Sequence, residues 1–187
     1  MAAPATSPLD VRLHAMAVCL HRVSLHPDFT LIDIPAPVRV SPHATAISAE
    51  TADRTVSGEL IALLDPRHRL EWAGDIRLIA HVRAAIEPEI ATDPCAPEIG
   101  WSWLVDALPA ADSTVERLAG TITISRSVPF GALADRPLEH TMEIRASWTA
   151  LDDDLTAHTS AWARLLCSAG GLPPADNPAL RPLRRGR

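Results

Sequence analysis

Three features of this sequence predict an α+β fold, a single domain on an antiparallel sheet of about five strands. Apolar residues recur at helical spacing near the start, change to a period of two from about residue 45, and return to helical spacing near residue 98 and again after residue 152. Proline, glycine and aspartate cluster between those runs, where turns belong. A chain of 187 residues with 47% apolar content can bury one core without disulfide or metal staples.

The elements follow in order. "SPLDVRLHAMAVCLHRV" opens a first helix, with Ser7 as N-cap, Pro8 at the first helical position and Asp10 at the positive end of the helix dipole. Leu9, Leu13, Met16, Ala17 and Leu20 form its apolar stripe, and it should stop before Pro27. Residues 29 to 34 read as a short extended segment followed by irregular, proline-punctuated chain, not as a central strand. "TAISAET" (45 to 51), "GELIALL" (58 to 64) and "DIRLIAHVRAAI" (75 to 86) then predict a three-stranded meander with turns at "ADRTVS" and "DPRHRLEWAG". In the third run Ile76, Leu78, Ala80 and Val82 share one face. Asp75, Arg77, His81 and Arg83 share the other, interrupted by Ile79.

Pro88, Pro94 and Pro97 delay the second helix until about residue 98, and Pro109 should end it near 108. "RLAGTITISRSV" and "LEHTMEIRASWTA", joined by "PFGALADRP", predict a hairpin with a longish loop, in which Met142, Ile144 and Trp148 alternate on the core face. The last helix has Asp152, Asp153 and Asp154 in its first turn and Leu155, Trp162, Leu165, Leu166 and Ala169 on its core stripe. Gly170 or Gly171 would take a left-handed C-cap. The resulting order is helix, three strands, helix, two strands, helix, over residues 8 to 174. Residues 1 to 7 and the Pro/Arg-rich stretch 175 to 187 are expected to be disordered.

Composition narrows the function classes. No apolar stretch approaches the roughly 18 to 20 residues of a membrane span, and "MAAPATSPLDVRLH" lacks the basic and apolar regions of a secretory leader, so a cytoplasmic protein is expected. Cys19, Cys95 and Cys167 are odd in number and far apart, which fits neither a disulfide framework nor a zinc knuckle. All 17 basic residues are arginine and the net charge is −6; with Arg181, Arg184, Arg185 and Arg187 gathered at the end, the rest of the chain is more acidic still. Such a body does not attract nucleic acid over its whole surface, so only that tail could touch phosphates.

Catalytic signatures are missing: there is no Walker glycine loop, GxGxxG, HExxH or CxxC, and "GWSW" lacks the second glycine of a nucleophile elbow. His14 and His21, seven residues apart, have no acidic or cysteine partner nearby and make a poor metal site. Glu87, Glu89 and Asp93 could bind a hard cation or act as acid and base, but equally cap and solubilise the approach to the second helix. Asp154 and His158, at i and i+4, could hydrogen-bond; helix-start acids explain the same residues without chemistry. No cofactor and no metal is expected.

"PEIGWSWLVDAL" (97 to 108) is the densest apolar stretch. Successive helical residues turn by about 100°, so Trp101 and Trp103 point about 200° apart and cannot form one aromatic platform. With Ile99, Leu104, Val105 and Leu108, apolar surface wraps most of the helix. Three readings stand: both tryptophans are core, they build a homodimer interface, or they line a groove for a ligand or peptide. Gly100 would let another backbone approach closely.

Taken together, "IPAP" (34 to 37), "SAE" (48 to 50), "EPE" (87 to 89), "GWSWL" (100 to 104), "FGALADRP" (130 to 137), "EIRASW" (143 to 148) and "AWARLLCSAGGLPP" (161 to 174) resemble an actinobacterial family catalogued as domain of unknown function 3000. The resemblance brings no catalytic residues; it implies an actinobacterial cytoplasmic protein encoded near a ribonuclease-D-like exonuclease. The order of elements is similar to that of type III secretion chaperones and the YbjN-like fold, a likeness of topology in which the middle helix helps to build a dimer. The expected function is a non-enzymatic, chaperone-like binding or adaptor module acting as a homodimer. Its partner surface would be the sheet face or the rim near Trp72, Phe130 and the second helix (Ile99, Trp101, Trp103, Leu104). The alternatives are an RNA-processing accessory using Arg181, Arg184, Arg185 and Arg187, and an enzyme built on Glu87, Glu89 and His158.

Overall fold

Helix α1 (Pro8–His21) starts on a capping box: the Ser7 hydroxyl accepts from Leu9 N at 3.3 Å, and Asp10 accepts from Ser7 N at 3.2 Å. The computed structural model describes residues 7–175. Ser7 is the N-cap expected from the sequence, although it is also the last residue of the expected disordered N-terminus, while residues 1–6 and 176–187 of the two expected disordered ends lie outside the described residues.

Six antiparallel strands follow: β1 (Phe29–Asp33), β2 (Ala44–Thr51), β3 (Val56–Leu64), β4 (Ile76–Ala85), β5 (Val115–Ser127) and β6 (Glu139–Ala150). They are hydrogen-bonded in the order β1-β2-β3-β4-β6-β5. The α+β class is as expected, with one strand more than expected, because the segment at 29 to 34 pairs along its length with β2. It is an edge strand, so the prolines that follow it interrupt no central ladder.

Helical boundaries correct the sequence reading in three places. The turn expected at "DPRHRLEWAG" is a 3₁₀ turn (Pro66–His68) running into α2 (Arg69–Trp72). After the short α3 (Pro88–Thr92), helix α4 (Ala96–Ala110) begins earlier than expected and runs through Pro109. That proline sits in the last turn, where its missing N–H orphans only the carbonyl of Val105, a residue 42% exposed. Finally, α5 (Thr156–Ala169) starts beyond the three aspartates, which therefore do not occupy its first turn. Asp154 instead accepts from Thr156 N at 2.9 Å, which with the Thr156 hydroxyl holds its carboxyl below the usual range, and Asp153 pairs with Arg12 of α1 at 2.6 Å. Gly171, with φ +63, supplies the left-handed turn that closes the helix.

The three long helices lie on one face of the sheet: α1 over β2 and β3, α5 over β3 and β4, and α4 over β5 and β6 beside α5. Alternation along each strand sends one set of side chains into this layer. Leu60, Leu78, Ile144 and Trp148 meet Met16, Leu20, Leu104, Trp162 and Leu165 there, all at most 1% exposed. Each fully buried aliphatic side chain of this kind contributes roughly 1.5–3 kcal/mol. No helix among the described residues is long and apolar enough to cross a membrane.

Candidate partner-binding face

With all long helices on one side, the other face of the sheet carries none of them, though Ala44, Ala46, Leu63 and Thr149 on it are buried, and strand register sorts its side chains into rows. Ala46, Ile61, Ile79, Ser147 and Ala119 lie side by side across five strands, and Ala44, Leu63, Arg77 and Thr149 form the next row. Beyond them the rows turn charged: Glu59, His81 and Arg145, then Arg83 and Glu143. Ile79, the residue that broke the polar face of its strand in the sequence, thus belongs to an apolar band.

Part of that band, Leu63, Arg77, Ile79, Ser147 and Ala119, lines a trough of about 700 Å³ together with Val40 and Trp72, among others. Its walls come from loops. Asp65, 3% exposed, accepts from Arg67 N at 3.1 Å and from the Arg67 guanidinium at 2.8 and 2.7 Å, which pushes its carboxyl down to about 2. The turn so fixed carries Trp72, whose ring stacks on His68 at 4.9 Å and whose carbonyl accepts from the Thr149 hydroxyl. Ala73 turns left-handed at φ 63, and a Cβ on Gly74 would stand 2.6 Å from Thr149 Cγ2, so glycine alone lets the loop close down on β6.

Arg77 sits in the floor. Nη1 donates to Arg117 O at 3.0 Å and Thr149 Oγ1 at 3.1 Å, and Nη2 donates to Ser147 Oγ at 2.6 Å. Arg117 is positioned for this by a bulge in β5 between Glu116 and Ala119, where its own φ is 52. Burial, with a smaller contribution from the charge of Arg117, pulls the Arg77 guanidinium below the usual arginine range. In the charged rows farther along the face, Glu143 is held by Arg145 at 2.8 Å and lies 3.9 Å from His81.

Of the residues singled out in the sequence, only Trp72 is in the trough. Phe130, 78% exposed, belongs to the β5–β6 loop at the opposite end of β6 from Trp72. Trp101 and Trp103 are half-buried and both pack against their own core. A Cβ on Gly120 of β5 would meet Trp101 Cζ3 at 2.7 Å, so Trp101 is seated on that glycine. The neighbour close to Gly100 is the side chain of Met142 in the same chain, not another backbone. Leu104 lies wholly in the core, while Ile99 and Val105 of α4 are 45% and 42% exposed.

The acid-base constellation does not assemble. Glu87 lines a cleft of about 420 Å³ at the end of the sheet with Arg54, Arg83, Glu139 and His140, which Glu89 and Asp93 do not line. His158 is buried under β6, where its Nδ1 accepts from Trp148 Nε1 at 3.2 Å; it does not bond Asp154. The imidazole is held neutral, its pKa lowered by burial against the pull of Asp152 and Asp154. His21 bonds the Ala17 carbonyl and Asp33, each at 2.7 Å. Among the described residues no three His, Cys, Asp or Glu side chains converge on a metal site. Arg181, Arg184, Arg185 and Arg187 lie outside the described residues.

A family model described as "Protein of unknown function (DUF3000)" matches residues 11–178. The chain belongs to this family. The DUF3000 match takes in all six strands, α2 and its loop, so the trough is built wholly from DUF3000 sequence. No curated protein and no solved structure matches the chain.

Proposed function

We propose that this chain is a non-enzymatic binding module that holds a segment of a partner protein in the trough on the open face of its sheet. The observation that carries the reading is the apolar band itself: Ile61 and Ile79 face away from the helices, and Ile79 lines the trough with the buried Leu63 and a tryptophan that a dedicated turn holds in place. An isolated polar-faced sheet has no need of such a band. The trough is shallow and open to solvent, which suits a segment laid along the sheet better than a small molecule, since small ligands bind where most of their surface is buried. To test this, a photo-crosslinking residue is placed at Ile79 and, as a control, at Val11 on α1, which is 58% exposed. A defined partner should be captured from position 79 alone and be lost on Trp72→Ala; capture from both positions alike, or from neither, would overturn the reading.

The module acts as a homodimer through α4 in the same proposal. Ile99 and Val105, with the half-buried Trp103, leave apolar surface on a helix that already packs against its own sheet and α5. Sedimentation at micromolar concentration should give a dimer for the wild type and a monomer for Ile99→Asp/Val105→Asp; a wild-type monomer would sink this part.

A further inference from the structure

We propose that the segment held in the trough presents a carboxylate, the side chain of an Asp or Glu set between apolar residues, and that Arg77 receives it. The inference rests on the trough being a docking site, and adds the chemistry that the site selects.

Arg77 is hydrogen-bonded and half-buried on this face with no carboxylate partner among the described residues. Arg12, Arg67, Arg69 and Arg145 each pair with a carboxylate. Arg77, half-buried in an apolar floor, has only neutral oxygens around it among the described residues: one carbonyl and two hydroxyls. A guanidinium removed from water without a counter-charge is costly, and the like charge of Arg117 adds to that cost. A bound anion would offset both.

The hydrogen-bond count says how the anion would sit. A guanidinium has five N–H donors in a fixed plane. Three are engaged, two on Nη1 and one on Nη2, which leaves Nε–H and one Nη2–H without an acceptor among the described residues. The three engaged bonds are themselves pinned. Thr149 Oγ1 accepts from Arg77 while donating to the Trp72 carbonyl, and the Arg117 carbonyl is aimed by the bulge. The guanidinium is thus held in one orientation before anything binds, so little conformational entropy remains to be lost on binding. A planar carboxylate matches such a fork. Leu63, Ile79 and Trp72 around Arg77 supply the apolar flanks.

The probes are an acetylated, amidated pentapeptide Leu-Val-Asp-Val-Leu and its Asn counterpart, titrated into the isotope-labelled full chain. Binding is followed at the Ile79 amide and the Arg77 Nε–H by NMR. The Asp peptide should bind about tenfold more tightly than the Asn peptide, the effect of a charge-assisted bond worth about 1.4 kcal/mol. Arg77→Met should erase the difference while leaving the Asn peptide's affinity in place. Arg77→Lys, which keeps the charge and the stem but loses the fork, should retain part of it; should the methionine variant not fold, this comparison decides. If both peptides shift Ile79 with equal affinity in the wild type, Arg77 selects nothing and this inference fails while the docking site stands. If neither peptide shifts Ile79, the docking reading itself fails. If inorganic phosphate displaces the Asp peptide as well as acetate does, the site is a general anion site and the carboxylate assignment is overturned.

Discussion

Trp148 and His158 form a buried pair whose geometry fixes where a proton can sit. The indole N–H donates to Nδ1, so the imidazole carries its hydrogen on Nε2. A second proton would have to go on Nδ1, donor against donor, in a site where burial already disfavours charge. The folded-state pKa is below the ordinary 6.5. The stabilisation is therefore fully present above pH 6.5 and lost as pH falls through that value toward the folded one. Thermal unfolding should thus show a lower Tm at pH 5 than at pH 7.5. His158→Phe removes the acceptor and leaves the indole N–H unsatisfied, at a cost of about 1–3 kcal/mol at neutral pH, and should flatten that acid-side slope. An unchanged slope in the variant would exclude His158 as its source. His21 acts in the opposite sense: its pKa is raised, first by the Ala17 carbonyl and then by Asp33, so its contribution is present below 6.5 and lost as pH rises through its folded value. It is the more exposed of the two, and water screens its share.

Among the elements, α4 and β5 meet most closely at Gly120. A Cβ there would stand 2.5 Å from the Arg145 carbonyl as well as against Trp101. Gly120→Ala should therefore force β5 from β6 or lift α4, lowering stability by roughly 1–3 kcal/mol in denaturant titration; a neutral alanine would mean that Trp101 swings aside and carries little packing. This contact was not legible in the sequence, because it joins residues of two elements whose relative placement no local pattern encodes. What was legible followed from period and punctuation. The alternation of β4 and β6 named the buried Leu78, Val82, Ile144 and Trp148, and Ile79 marked an irregularity on the polar side. Three local features were misread for reasons of context. The 29 to 34 segment gains its partner only when β2 arrives. Pro109 is tolerated because it falls in the last turn of α4, where a missing N–H costs the helix a single bond. The aspartates before α5 serve Thr156 and Arg12 and leave the first turn of the helix without acids. The trough needed three dimensions, since Val40, Trp72 and Arg77 come from three separate stretches, although Trp72 itself was among the residues singled out.

At the scale of the whole molecule, Arg12 ties the helical layer to the sheet. It reaches Asp75 at the start of β4 at 3.2 Å and Asp153 ahead of α5 at 2.6 Å, while Asp75 also meets Arg69 at 3.5 Å. These groups keep contact with water, so Arg12→Ala should cost only about 0.5–1 kcal/mol, and the loss should shrink in high salt. A loss that salt leaves unchanged would point to packing of the arginine stem. The sheet order has a further consequence, in time. Within the first four strands every pairing is between neighbours in sequence, and β5 with β6 likewise, so each half closes short loops. The seam between them, Ala84 on Met142 through Ile76 on Ala150, closes the longest loop in the sheet. Its formation should set the folding rate. On the ribosome the first four strands emerge with Leu78, Ala80 and Val82 uncovered, and they must wait for Trp148, and then for α5, before the nascent chain has an interior.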